Sequence, residues 1–297
     1  MRITQRAVAL TSLQGLNRNL DAVGKLQQQL TSGRLISAPS DSPTGTNRAM
    51  QTRGDQAAVA QQSRNLTDAQ NWLEQTDSAL QTMLSTARRV RDLTVQGLNT
   101  GATSDVSQQA LATEVTSLRD SLLSLANLQI QGRPLFGGVT SGGRAYDSST
   151  GAWLGQQGAP VTRRVSDTEK IRVDLTGPEA FGSTPDGDLF AVVGKIAADM
   201  SSPTAASALT VHLADLDEIM NGMEYAVADV GTRASRVEKL QLINFDRALA
   251  LESQLTQTEK IDLPNTIMRL EMQKVGYEAA LAATAKAIQP TLMDYLR

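Results

Sequence analysis

The sequence predicts a mainly α protein made of long helical rods of coiled-coil type, with a small β-rich insertion in its middle. Three observations carry that prediction. Apolar residues recur every seven positions over long stretches. Only 3% of the 297 residues are aromatic, so the core has to come from Leu, Val, Ile, Met and Ala. One glycine-rich stretch switches to period-two alternation.

Taken in order, Leu13, Leu16, Leu20, Val23, Leu26 and Leu30 fall at steps of three and four and mark one face of a helix over residues 1–32. The stretch SGRLISAPSDSPTG then stops one helix and starts another. Gly33 suits a helix end, Ala38-Pro39 forces an extended step, and Ser42-Pro43 reads as an N-cap with proline in the first turn. Residues 33–45 are therefore expected to form a joint. Residues 46–133 form the first half of a rod domain. There Leu66, Leu73, Leu80 and Ala87 are each followed three positions later by Ala69, Thr76, Met83 and Val90. This helix is expected from Pro43 to Leu98, with Gly54 a place for a kink and Asn99 and Gly101 as caps. Leu111, Val115, Leu118, Leu122, Leu125 and Leu128 mark its antiparallel partner.

Over 134–185 the period changes. Ile171, Val173 and Leu175 alternate with Arg172 and Asp174 among glycine-rich turns, which predicts the β-rich insertion. Helix resumes over 186–257, the second half of the rod domain, with Leu189, Val193, Ile196 and Met200. Ser202-Pro203 then reads as a second cap and start. Heptads follow through Leu209, Leu213, Leu216, Met220, Met223, Val227, Val230, Ala234 and Val237, passing Gly231. Leu240, Ile243, Leu249 and Leu255 continue the apolar pattern. A second joint, TEKIDLPN, has Asp262 as a cap before Pro264. Residues 258–297 close the chain with Ile267, Leu270, Tyr277, Leu281, Ile288 and Leu292 on one face.

Composition excludes several function classes. A net charge of −3 and a pI near 5.3 leave no clustered basic surface for nucleic acid. Arg2, Arg6, Arg18 and Lys25 against Asp21 make residues 1–32 mildly basic, but their stripe lacks Trp and Phe and reads as a helix seam rather than a membrane-binding face. No nucleic-acid or membrane partner is expected. The absence of Cys removes disulfide and thiolate chemistry. Met1 to Thr4 lack the apolar core of a cleavable signal peptide, and no stretch approaches 18 uninterrupted apolar residues.

Catalytic candidates are few. His212 is the sole histidine and sits among Leu209, Leu213 and Leu216, which reads as a partly exposed spacer rather than a base or ligand. GGVTSGG at 137–143 lacks the Lys-Ser/Thr of a phosphate loop, and Asp186 and Asp188 offer too few oxygens for calcium. The reading is of a non-enzyme with no cofactor and no metal.

The signal left over is the pair of end stripes. Helices between 43 and 257 can bury their seams on one another, whereas residues 1–31 and 265–297 have only each other and other copies of the chain. Subunit-interface positions are accordingly expected at Leu13, Leu16, Leu20, Val23, Leu30, Ile267, Leu270, Tyr277, Leu281, Ile288 and Leu292. Gly33, Pro39, Ser42, Pro43, Asp262 and Pro264 are expected to shape the joints.

These residues also resemble a known family. The MRIT start, LQQQLTSGRLISAPSDSPTG with Ser32, Gly33, Arg34, Ile36, Pro39, Ser40, Asp41 and Pro43, and LRDSLLSLAN followed by GRPLFGG are similar to the flagellin superfamily. So are VGTRASRVE and IDLPNTIMRLEMQKVGYEAALAATAKA, and within the superfamily the order and spacing look most like the flagellar hook-filament junction proteins. Two departures are Pro134, where an aromatic is common, and the ending LMDYLR.

The resemblance implies a flagellin-type fold and a structural role in the bacterial flagellum, outside the cell. It implies export without a cleavable signal peptide through the flagellar type III export apparatus, aided by an export chaperone. The chain would form a homo-oligomeric ring joining the hook, through hook-associated protein 1, to the flagellin filament. Its end helices would co-coil with neighbouring subunits in an inner tube, its rods would form a shell, and its insertion would face outward. A short flagellin building the filament itself is the alternative, disfavoured by MRIT and GRPLFGG.

Overall fold

The computed structural model describes residues 5–99, 104–140, 142–182, 187–202 and 206–288. In chain order these form α1 (Gln5–Ser32), α2 (Pro43–Leu98), α3 (Asp105–Ala126), β1 (Gln129–Ile130), β2 (Arg133–Pro134), β3 (Thr162–Arg164), β4 (Lys170–Arg172), α4 (Gly177–Phe181), α5 (Leu189–Met200), α6 (Ala206–Glu259) and α7 (Leu263–Ile288). They group into two compact units, one of Met1–Ala58 with Arg247–Arg297 and the other of Val59–Asp246.

The core of the second unit is a helix seam. Leu66, Ala69, Leu73, Thr76, Leu80, Met83, Ala87 and Val90 of α2, the eight heptad positions, are all 0% exposed. Each leucine among them contributes about 1.5–3 kcal/mol relative to exposure. Leu209, Leu216, Met220, Met223, Val230 and Val237 supply the α6 side. Thr76 is satisfied within its own helix, donating from Oγ1 to the Trp72 carbonyl at 2.8 Å.

Ion pairs record the directions of these helices. Arg91 Nε reaches Asp217 Oδ1 at 2.6 Å and Arg88 reaches Glu224 at 2.8 Å, so numbers rise along α2 as they fall along α6, and the two run antiparallel. Arg89 and Glu114, at 2.7 Å, join α2 to α3 across the reversal of the chain. Such exposed pairs add little energy but record the alignment. On α5, Leu189, Phe190, Val192, Val193, Ile196, Ala197 and Met200 are all buried, and this helix packs on α3. Asp188 caps it by accepting from the Ala191 amide at 2.7 Å.

The insertion has little sheet. β1 and β2 form a hairpin with register Ile130↔Arg133, turned by Gln131 at φ 52° and Gly132 at φ 78°. Two successive positive φ values fit a primed turn, where glycine is the low-cost second residue. Arg133 then lies over the Trp72 ring, 5.9 Å from its centroid. β3 and β4 pair with register Arg163↔Ile171. This hairpin is tied to α2 by Arg163 to Asp68 (2.6 Å) and by Asn65 Nδ2 to the Arg164 carbonyl (2.7 Å), and to α6 by Arg236 to Glu169 (2.6 Å).

Several expectations need correction. The core is not aliphatic alone: beside Leu135, Val165, Ile171, Val173 and Leu175, the rings of Phe136, Tyr146 and Phe181 of the insertion and Phe190 of α5 are buried with centroids 4.6 to 6.1 Å apart. A low overall aromatic content hid their concentration in one place. The insertion also contains a helix, α4, and its first strand precedes residue 134. α2 is one uninterrupted helix through Gly54. α3 ends at Ala126 rather than continuing through Leu128. Asn127 leaves the helix and uses its side chain on the insertion, accepting from the Ala145 and Tyr146 amides at 2.9 and 2.8 Å and donating to the Tyr146 carbonyl at 3.0 Å.

On α6 the seam after Val237 buries Asn244 and leaves Ile243 exposed, the reverse of the apolar pattern. Gly101, Asp186 and Pro203 lie outside the described residues.

Candidate assembly surfaces

The first unit holds the end helices and both joints. α1 and α7 pack together, and Gln273 Nε2 donates to Asn19 Oδ1 at 3.2 Å. Asn19 falls on the same face as Leu16, Val23, Leu26 and Leu30, all half-buried. On α7 the inward face carries Leu270, buried at 8% exposure, and half-buried Tyr277.

Pairing leaves a large apolar remainder. Leu13 and Leu20 are each 51% exposed, and Leu10 accompanies them. On α7, Ile267, Met268, Met272, Val275 and Leu281 are also exposed. The expected interface residues thus divide: Leu16, Val23, Leu30, Leu270 and Tyr277 serve the contact within the chain, while Leu13, Leu20, Ile267 and Leu281 stay open. Ile288 ends α7, and Leu292 lies outside the described residues.

The joints meet each other. Leu35 N donates to the Glu259 carbonyl at 2.6 Å and Ile261 N to the Gly33 carbonyl at 3.3 Å, an antiparallel bridge between Arg34 and Lys260. Gly33 makes the exit from α1 at φ 68°, a conformation that costs glycine little. Ser42 Oγ accepts from the Gly45 amide at 3.1 Å, with Pro43 as the first residue of α2, and Pro39 lies in the exposed turn between. Asp262 Oδ1 accepts from Asn265 N at 3.3 Å at the start of α7, with Pro264 in the first turn. Arg53 closes the second joint by pairing with Glu259 at 2.8 Å.

Asp41 organises the first joint. Its Oδ2 accepts from the Ser37 and Ala38 amides at 3.0 Å, and its Oδ1 lies 2.9 Å from Lys25 Nζ. The Lys25 bond, followed by the two amides, holds its carboxyl down to about 2. A depressed carboxylate favours the folded joint above the ordinary carboxylate range, near 3.8, and that contribution is lost as pH falls through about 2. Protection of the Ser37 and Ala38 amides in hydrogen exchange, corrected for intrinsic rates, is therefore expected to hold at pH 5 and fade between about pH 4 and 2. Asp41→Asn is expected to lower that protection already at pH 5. Unchanged protection would show that the carboxylate does not order the joint.

Glu259 gives no local signal in the sequence, since its carbonyl partner is Leu35. Asp41 was legible only as part of the PSDSP motif. His212 is half-buried, with Nε2 3.2 Å from Asp199 and Nδ1 3.5 Å from Asp215. Among the described residues no cluster of three or more His, Cys, Asp or Glu is placed to hold a metal ion, and no helix is long and apolar enough to cross a membrane.

Long seam helices flanking a small insertion, with paired end helices that stay partly apolar outside, define a flagellin-type structural protein. Residues 3–141 match the family described as the bacterial flagellin N-terminal helical region. The chain is 25% identical over 302 residues to flagellar hook-associated protein 3 of Salmonella typhimurium, covering 94% of this chain and 95% of that one. The flagellin of Bacillus subtilis is also 25% identical, over 97% of both chains. The crystal structure of FlgL from Bacillus cereus shares the fold, with a TM-score of 0.60 and 22% identity over 69% of this chain and 99% of that one.

Proposed function

We propose that this chain is a structural component of the flagellum that joins the hook to the filament. It seats on a hook-associated protein 1 type partner on one side and on flagellin on the other, as a homo-oligomeric ring outside the cell. The observation that carries this reading is the apolar surface that α1 and α7 leave uncovered after packing on each other, from Leu13 and Leu20 to Met272 and Leu281. Isolated helices of this kind gain stability only by burial, and neighbouring copies supply it. Full-length similarity to hook-associated protein 3 supports a junction role. Delivery through the type III export apparatus with an export chaperone, without a cleavable signal, belongs to the same reading. So does the division into an inner domain at 1–32 and 258–297, a rod domain and an insertion.

The equally long match to Bacillus subtilis flagellin favours one rival, a short flagellin that builds the filament. Deleting the gene in its own host separates the two when the flagella are imaged and the medium is assayed for flagellin. Bare hooks with flagellin shed into the medium are expected. Bare hooks with no flagellin in the medium would assign the chain to the filament, and intact filaments would overturn both readings.

A further inference from the structure

Leu209, Leu216, Met223, Val230 and Val237 are buried at intervals of seven along α6, and the next position in that series is Asn244. The helix keeps its phase there. Asn244 is 8% exposed, while Leu242, Ile243 and Phe245 beside it are 68, 61 and 67% exposed. A helix that selected its inward face by apolar burial alone would have turned one of those three towards α2.

Burying an amide is costly unless it is bonded. Asn244 Nδ2 donates to the Val59 carbonyl of α2 at 3.2 Å. The other buried polar groups of the seam differ in what they require. Thr76 and Thr94 donate to Trp72 and Val90, four residues back in their own helix, and are satisfied whichever helix lies opposite. Gln62 Nε2 reaches Asp167 of the insertion at 3.0 Å. Among the described residues, only Asn244 combines burial with a side-chain bond across the α2–α6 seam. It therefore carries information about partner and register, as a single polar seam residue does in coiled coils.

We infer that Asn244 is a specificity residue. It lets α6 bury this face at a small cost only against α2 at Val59, where its amide is bonded, and it disfavours the same face closing on a helix of a second copy. The function follows from the chemistry of α6. Its buried seven-step series runs from Leu209 to Val237, and an apolar residue at 244 would extend that series as an adhesive stripe open to other apolar helices.

Asn244→Leu in the full chain tests this. The thermal midpoint is expected to rise by about 2–4 °C, because a polar group leaves the seam. Sedimentation is expected to show the variant's apparent mass rising at concentrations where the unaltered chain's does not. Asn244→Ala, which fits without repacking, should share the gain in association. Thr94→Val, which removes a hydroxyl satisfied within its own helix, should not. If both Asn244 variants keep the parent's apparent mass, or if Thr94→Val associates equally, Asn244 specifies no partner. A lower midpoint for Asn244→Leu would likewise overturn the inference, since the amide would then be a net stabiliser.

Discussion

Replacing Phe190 with Ala is expected to destabilise the unit Val59–Asp246 by about 3–5 kcal/mol. Phe190 is 0% exposed, with its ring 4.6 Å from Tyr146 and 5.8 Å from Phe181. Truncation removes those edge contacts and leaves a cavity that the rigid neighbours cannot fill. The Phe190 carbonyl also accepts from Arg119 Nε at 2.9 Å, so backbone shifts there would disturb the α3–α5 contact. Urea unfolding measures the loss. Phe245→Ala, on the exposed side of α6, is the comparison and is expected to change stability by no more than about 0.5 kcal/mol. Similar losses for the two would mean that the aromatic cluster is not the anchor of the insertion.

Leu281→Asp is expected to separate folding from assembly. Leu281 is 42% exposed in the chain, so a carboxylate there remains hydrated and the isolated protein should fold normally. Where a neighbouring copy covers the same position, the charge loses its water, at a cost of several kcal/mol in every contact. The variant should therefore be exported but not incorporated, leaving bare hooks and flagellin in the medium. Leu281→Met, similar in volume, should incorporate. Normal incorporation of the aspartate variant would show that this stripe of α7 does not face a subunit.

The parts of this molecule that were legible in the sequence are those set by local periodicity. Leu66 to Val90 announce their burial because a seven-residue repeat admits one inward face. Start and stop signals such as Ser42-Pro43 are local chemistry and appear where the dihedrals require them. What stayed hidden depends on partners far along the chain. Leu35 and Glu259 are joined only by folding, and nothing near either residue indicates the other. Asn244 looks like surface until the phase of the helix and the Val59 carbonyl are known. The aromatic cluster draws one ring each from four separated segments, so no window of sequence contains it. On the assembly surfaces the apolar stripes were visible, but not which leucines the α1–α7 contact uses and which it leaves open.

The bond pair between Gly33, Leu35, Glu259 and Ile261 turns the long intervening sequence into a closed loop whose two ends are fastened together. Closing a loop costs free energy that grows only logarithmically with length, about 0.6 kcal/mol for each doubling. Lengthening or shortening the interposed sequence therefore changes little at the fastening. The meeting of the two joints, and with it the α1–α7 pairing, is thus little affected by a change of length in the sequence enclosed between Leu35 and Glu259.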